Sequence, residues 1–150
     1  RCTNEFWDYI IAVDQTSVFQ FSREVLKYME PKGYGSIVNL SSLAGYYGHC
    51  GFAYSAAKAA VIAMTKNIGL QFNETQIRCN CICPGTTFTE LNAHLEEFDQ
   101  EFSAHTFKCT NMDAPPCDVI DQANALLYFA CDESKSTTGQ ALVIDHGAKL

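Results

Sequence analysis

Ser42-Leu-Ala-Gly45-Tyr-Tyr-Gly48-His-Cys-Gly51-Phe-Ala-Tyr54-Ser-Ala-Ala-Lys58 is the stretch on which this 150-residue sequence turns. An apolar run, Ser36 to Leu40, feeds it, and an alanine-rich run, Phe52 to Phe72, leads out of it. The first has the length of a strand and the second that of a helix, so the glycines at 45, 48 and 51 make the segment between them a loop. On the helix, Tyr54 and Lys58 are four residues apart and share one face. That pairing suits proton transfer. A phenol is a poor base at neutral pH, and a neighbouring ammonium stabilises its phenolate. Ser42, in the loop, is placed to hold a substrate oxygen. A bare Tyr-x-x-x-Lys is common on amphipathic helices, so the flanking residues must carry the reading.

Outward from this stretch the periodicity changes repeatedly. Asn4 to about Glu30 places Trp7, Ile10, Ile11, Val18, Phe19, Val25 and Leu26 at helical spacing, with Asn4 as the expected cap and Pro31 and Gly33 as the stop. Ile77 to Cys83 is a second strand, its apolar run broken by Arg78 and Asn80 and ended by Pro84-Gly85. Leu91, Leu95, Phe98 and Phe102 recur helically beside an acidic, solvated face of Glu96, Glu97, Asp99 and Glu101. After Pro115-Pro116 comes a helix from Asp118 to Cys131. The Thr138-Gly139 turn then leads to a last strand, Ala141 to Asp145.

Such alternation predicts an α/β fold, with parallel strands joined by right-handed crossovers. Three strands lying side by side in sequence order would put the crossover helices on one face, with the other face and one edge bare. Parallel sheets are normally covered on both faces. Residues 1–150 are therefore expected to form a single partial domain, completed by further sequence or an obligate partner.

Composition narrows the function classes. A net charge of −7 argues against a nucleic-acid surface, and no apolar run is long enough to span a membrane. The chain opens on Arg1 with no basic, apolar leader, so it is read as a fragment of a cytoplasmic protein. Its eight cysteines are read as reduced thiols. Cys79, Cys81 and Cys83 lack the spacing of a structural zinc site and are assigned to packing, with Cys81 turned away from the other two. No metal is assigned.

With these residues in view, the chain resembles the C-terminal half of a classical short-chain dehydrogenase/reductase. Trp7-Asp8 through Phe19 is similar to that family's helix bearing a catalytic Asn. Gly35 to Gly45 is similar to its strand and catalytic-serine loop, and Tyr54 to Lys58 to its Tyr-x-x-x-Lys helix. Ile77 to Thr89, with Pro84-Gly85 at its centre, is similar to its sixth strand and the loop beneath the nicotinamide. Ala130 to Asp145 is similar to its closing segment. Five motifs in one order are far more specific than any alone.

The resemblance implies a doubly wound Rossmann-type sheet with its site at the strand C-termini. It implies hydride transfer between NAD or NADP and a small-molecule substrate, an alcohol or ketone. Tyr54 would be the acid/base, Lys58 would favour the phenolate and hold the nicotinamide ribose, and Ser42 would bind the substrate oxygen. Pro84, Gly85, Thr87 and Thr89 would contact the cofactor. Tyr46, Tyr47, His49 and Cys50, with Leu91, His94, Leu95 and Phe98 as a lid, would line an apolar substrate site. The long first helix and the small-residue face of the second imply a homo-oligomer, a dimer or tetramer.

The sequence also departs from the pattern. Asp14 stands where the family has its Asn, so a proton relay through Asp14 and Lys58 gains a charge and loses an NH2 donor. The Ser42–Tyr54 interval is one residue short, which makes Ser41 a substitute, though Ser42-x-x-Gly45 fits the motif better. Asp145-His146-Gly147 replaces Asp-Gly-Gly, with His146 expected to be an exposed loop residue. No Gly-rich turn, ribose-reading acid or Asn-Asn-Ala-Gly segment is present, so the chain alone is not expected to hold a dinucleotide tightly. Two other readings fit some of these features: a truncated, non-catalytic remnant that packs with a partner, and an extended-branch epimerase or dehydratase.

Overall fold

The computed structural model describes residues 2–90, 101, 104, 108, 110, 111 and 113–149. Leu91, Leu95, Phe98 and Phe102 of the expected helix, and the lid residue His94, lie outside these.

The first long helix forms where its periodicity predicts, but in three pieces. Helix α1 spans Asn4–Ile11, a π-helical segment spans Ala12–Thr16, and helix α2 spans Ser17–Met29. Thr3, rather than Asn4, is the N-cap, and its hydroxyl accepts from the Phe6 N–H at 3.2 Å. Gly33, at φ 64°, takes the left-handed turn that ends the run. Strand β1, Tyr34–Leu40, then leads into a short helix α3, Leu43–Tyr47, inside the expected glycine loop.

Helix α4, Phe52–Gln71, buries Ala53, Ala57, Val61, Thr65 and Gly69, one residue per turn. These are small residues, so the helix lies close to what it packs on. At Gly69 the approach is close: a Cβ there would stand 2.6 Å from the Gly139 amide nitrogen. Strand β2 is Gln76–Pro84, helix α5 is Val119–Ala130 and strand β3 is Ala141–Ile144. The strands form one parallel sheet in the order β1-β2-β3, with Asn39 opposite Cys81 and Cys83 opposite Val143.

The strand order agrees with the sequence reading, but the covering of the sheet does not. On one face Asn39 donates to the Thr65 hydroxyl of α4 at 3.0 Å, and Ile62 packs on Cys81 and Cys83. On the other face Ser36 and Arg78 both donate to the Phe129 carbonyl of α5, at 2.8 and 2.9 Å. The two crossover helices therefore lie on opposite faces. Strands that advance one way across a sheet with helices on opposite sides require crossovers of opposite hand, so one of the two breaks the right-handed rule.

Arg78 explains the docking of α5. Its buried guanidinium also donates to the Ser134 hydroxyl and to the Cys131 carbonyl, so a cation sits among the carbonyls at the helix C-terminus. Asn80 works beside it, donating to the Thr137 carbonyl and accepting from the Gln140 N–H. The two residues that interrupt the apolar run of β2 are thus the ones that bind the polar end of α5 and the turn after it.

The orientation expected for Cys81 is also corrected. Positions 79, 81 and 83 are two apart on a strand, so all three thiols share the α4 face, and all three are fully buried. The hydrogen bond between Cys81 and Cys83, followed by burial, pushes the Cys81 thiol up, and burial takes Cys79 up to about 12. These are packing thiols, as expected.

Candidate active site

Because the strands are parallel, their carboxyl ends gather three loops at one end of the sheet. Residues 41–51 follow β1, residues 85–90 follow β2 and residues 145–149 follow β3. Among the described residues, all the candidates but Asp14, Tyr54 and Lys58 lie in these loops or at the strand end that starts one. Those three are on helices.

The loop after β1 is latched onto α4 at two points. Ser41 is buried and its hydroxyl donates to the Lys58 carbonyl at 2.8 Å. Gly45 rests on the same place: a Cβ there would stand 2.4 Å from the Lys58 carbonyl carbon. Ser41 is thereby committed to the backbone, which leaves Ser42 as the hydroxyl for the site. Ser42 caps α3 by accepting from the Ala44 N–H at 3.1 Å, and its O–H proton remains free to donate. The returning backbone uses Gly48 and Gly51 at positive φ, with Cys50 at φ 97° between them.

Lys58 is buried, and its ammonium lies 2.9 Å from the Asp14 carboxylate and 3.4 Å from the Leu40 carbonyl. It also lies 5.5 Å from the centroid of the Tyr54 ring. An ammonium has three donors, and these two oxygens take two of them. The third is available to a ligand. Among the described residues the half-buried Tyr54 makes no hydrogen bond through its hydroxyl. Asp14 reaches Lys58 from the π-helical segment, a backbone irregularity that recurs at functional sites. The departure at Asp14 thus appears as a direct ion pair.

The loop after β2 is set by Gly85, whose N–H donates to the Ile144 carbonyl at 2.9 Å. A Cβ there would meet the Asp145 Cβ at 2.5 Å, so the loop lies flat on the end of β3. Pro84 pairs with Ile144 in the sheet. Thr87 bridges to Cys117, and its hydroxyl donates to the Gly85 carbonyl and accepts from Gln122, each at 3.3 Å. Thr89 is exposed. His49 is half-buried with its Nδ1 unpartnered among the described residues; burial, then the Lys149 ammonium, pulls its pKa down, which favours the neutral imidazole.

One grouping escaped the sequence reading. Cys117, Asp121 and His146 come within 4.8 Å of one another through their ligand atoms. They belong to a bridge, a helix and a turn 25 residues on, so spacing carried no signal of it.

Comparison with known proteins gives a consistent result. The family model described as enoyl-(acyl carrier protein) reductase matches residues 1–149. A dehydrogenase/reductase SDR family member 6 of Aquarana catesbeiana is 36% identical over 155 residues, covering 99% of this chain and 62% of its own length. A 3-oxoacyl-(acyl-carrier-protein) reductase of Thermotoga maritima is 36% identical, covering 98% of this chain and 58% of that protein. A 3-oxoacyl-(acyl-carrier protein) reductase of Brucella melitensis with bound NAD superposes with a TM-score of 0.83 at 26% identity. That match covers all of this chain and 54% of the solved one. The chain spans little more than half the length of these proteins.

Proposed function

Because the chain belongs to the short-chain dehydrogenase/reductase family, we propose that it carries the catalytic half of an oxidoreductase moving hydride between NAD or NADP and an alcohol or ketone. The observation that carries the reading is the Lys58 ammonium, paired with Asp14 and set 5.5 Å from the Tyr54 ring centroid, beside a phenol whose hydroxyl is unengaged among the described residues. Family membership and the NAD-bound neighbour support it.

The residues present fit one end of such a cofactor. Lys58 has one donor left for ribose hydroxyls, and the flat loop at Pro84, Gly85, Thr87 and Thr89 gives a floor at the strand ends. When bound, the nicotinamide supplies or accepts the hydride. Tyr54 then gives a proton to the substrate oxygen in reduction and takes it in oxidation. Lys58 stabilises the phenolate left behind, Asp14 holds Lys58 in place, and Ser42 donates to the same substrate oxygen. The neighbouring aromatics Tyr46 and Tyr47, with the unpartnered His49 Nδ1, suit a substrate with an apolar skeleton and one polar group. The acyl ketones named for two of the matched proteins have that character.

Two further assignments belong to this reading. Phe21 and Tyr28 are 74% and 73% exposed on α2, in a row of outward aromatics, and we assign that surface to a homo-oligomer. Seven cysteines are free thiols among the described residues, which suits a reducing, cytoplasmic setting.

The test uses the full-length protein with NADH and NADPH in turn and a panel of ketones that includes 3-oxoacyl thioesters, followed by absorbance of the reduced nicotinamide. Ketone-dependent loss of absorbance is expected with one of the two cofactors. A folded protein that binds neither cofactor and reduces no ketone would contradict the assignment.

A further inference from the structure

We propose that Cys117, Asp121 and His146 bind one zinc-class divalent cation in the wall of the pocket between α5 and the turn after β3. The pocket has a volume of about 470 Å³, and all three residues line it beside Tyr47. The inference does not depend on the oxidoreductase reading.

The geometry is close to what an ion needs. The sulfur, nitrogen and oxygen lie within 4.8 Å of one another. Around a tetrahedral ion with bonds of about 2.0–2.3 Å, ligand atoms stand about 3.3–3.8 Å apart. A shift of about 1 Å closes the difference, and His146, the exposed member, is free to make it. A thiolate, an imidazole and a carboxylate together select a borderline ion such as zinc over magnesium or calcium. Three protein ligands leave the fourth position open to the pocket, for water or a ligand oxygen.

Each ligand is also held by its own backbone. The Cys117 N–H donates to the Thr86 carbonyl at 2.9 Å, and the residue is 1% exposed. Asp121 uses one carboxylate oxygen to accept from the Asp118 N–H at 2.9 Å, and the other oxygen is left for the ion. His146 sits at φ 53°, a left-handed conformation that favours glycine. Glycine would relieve that strain. Asp145 fixes the turn by accepting from the Gly147 and Lys149 N–H groups at 2.9 and 3.1 Å.

Binding is an exchange without redox change. The Cys117 thiol, which now donates to the Ile144 carbonyl at 3.5 Å, gives up its proton to solvent and bonds the metal through its sulfur lone pair. The ion would pin the turn after β3 to the start of α5, beside Tyr47.

The test strips the full-length protein with a chelator and titrates it with Co2+ as a spectroscopic stand-in, with Zn2+ in competition. One equivalent per chain is expected, with a sulfur-to-cobalt absorption band, release of a proton and displacement by Zn2+. Cys117→Ser should abolish the band, and His146→Gly should weaken binding by at least about tenfold. His146→Gly relieves backbone strain, so its loss of binding cannot be assigned to unfolding. Cys131→Ser, which keeps the triad, should bind as the parent does. No cobalt binding in the parent, or a band that survives both Cys117→Ser and His146→Gly, would overturn the site.

Discussion

Helices α4 and α1–α2 meet at the Lys58–Asp14 pair but are held in opposite ways. Helix α4 buries seven residues against the sheet and the serine loop, and Lys58 is one of them. Along α1 and α2 only Ser22 is buried, and the large aromatics point outward. The chain's own core therefore fixes Tyr54, Lys58 and the loop that carries Ser42. Asp14 stands between helices whose outer surface leaves large aromatics exposed. The Tyr54–Lys58 pair is specified internally, and its charged neighbour is specified only as well as those helices are held.

The largest expected effect is on the buried side of this contrast. Lys58→Met in the full-length protein should lower kcat by about 10²- to 10⁴-fold, the range for removing a group that supports proton transfer. A loss under about tenfold would mean that the burial of Lys58 serves packing alone. Gly45→Ala should come next. Its Cβ meets backbone at Lys58, which cannot swing aside as a side chain can. Overpacking of this kind costs about 1–3 kcal/mol, and denaturant unfolding should show it. An unchanged midpoint would show that the serine loop is not latched at Gly45.

A smaller, pH-dependent effect belongs to the same face of the sheet. Burial raises the Cys79 thiol from 9.0 to about 12. The unfolded thiol ionises first, so the fold keeps this contribution below pH 9 and loses it progressively as pH rises towards 12. Cys79→Ser should flatten the pH dependence of unfolding in that window, and an unchanged slope would contradict it. The smallest effect on chain stability lies on the outer helix. Phe21→Ser should change it by no more than about 0.5 kcal/mol, yet sedimentation should show the oligomer dispersed. An intact oligomer would place the interface elsewhere.

How much of this was legible follows the same division. Period and length revealed α4, the strands and the Tyr54–Lys58 pair, because these are local patterns. The position of Ser42 was legible from its place after β1 and the Gly45 three residues on, and the Lys58 carbonyl as Ser41's partner supplies the physical reason for preferring it over Ser41. The side of the sheet taken by α5 depends on where the Arg78 guanidinium finds carbonyls, more than 50 residues on, and no local pattern carries that. The π-helical segment was hidden because Asp14 and its neighbours keep ordinary helical spacing. The grouping of Cys117, Asp121 and His146 exists only once the sheet is assembled.

The central claim is that the Tyr54 phenol moves the proton during hydride transfer. It is tested most directly by steady-state turnover and cofactor titration of Tyr54→Phe in the full-length protein. The account predicts a fall in kcat of about 10²- to 10⁴-fold, with cofactor affinity changed by no more than a few-fold. Turnover equal to that of the parent would contradict it.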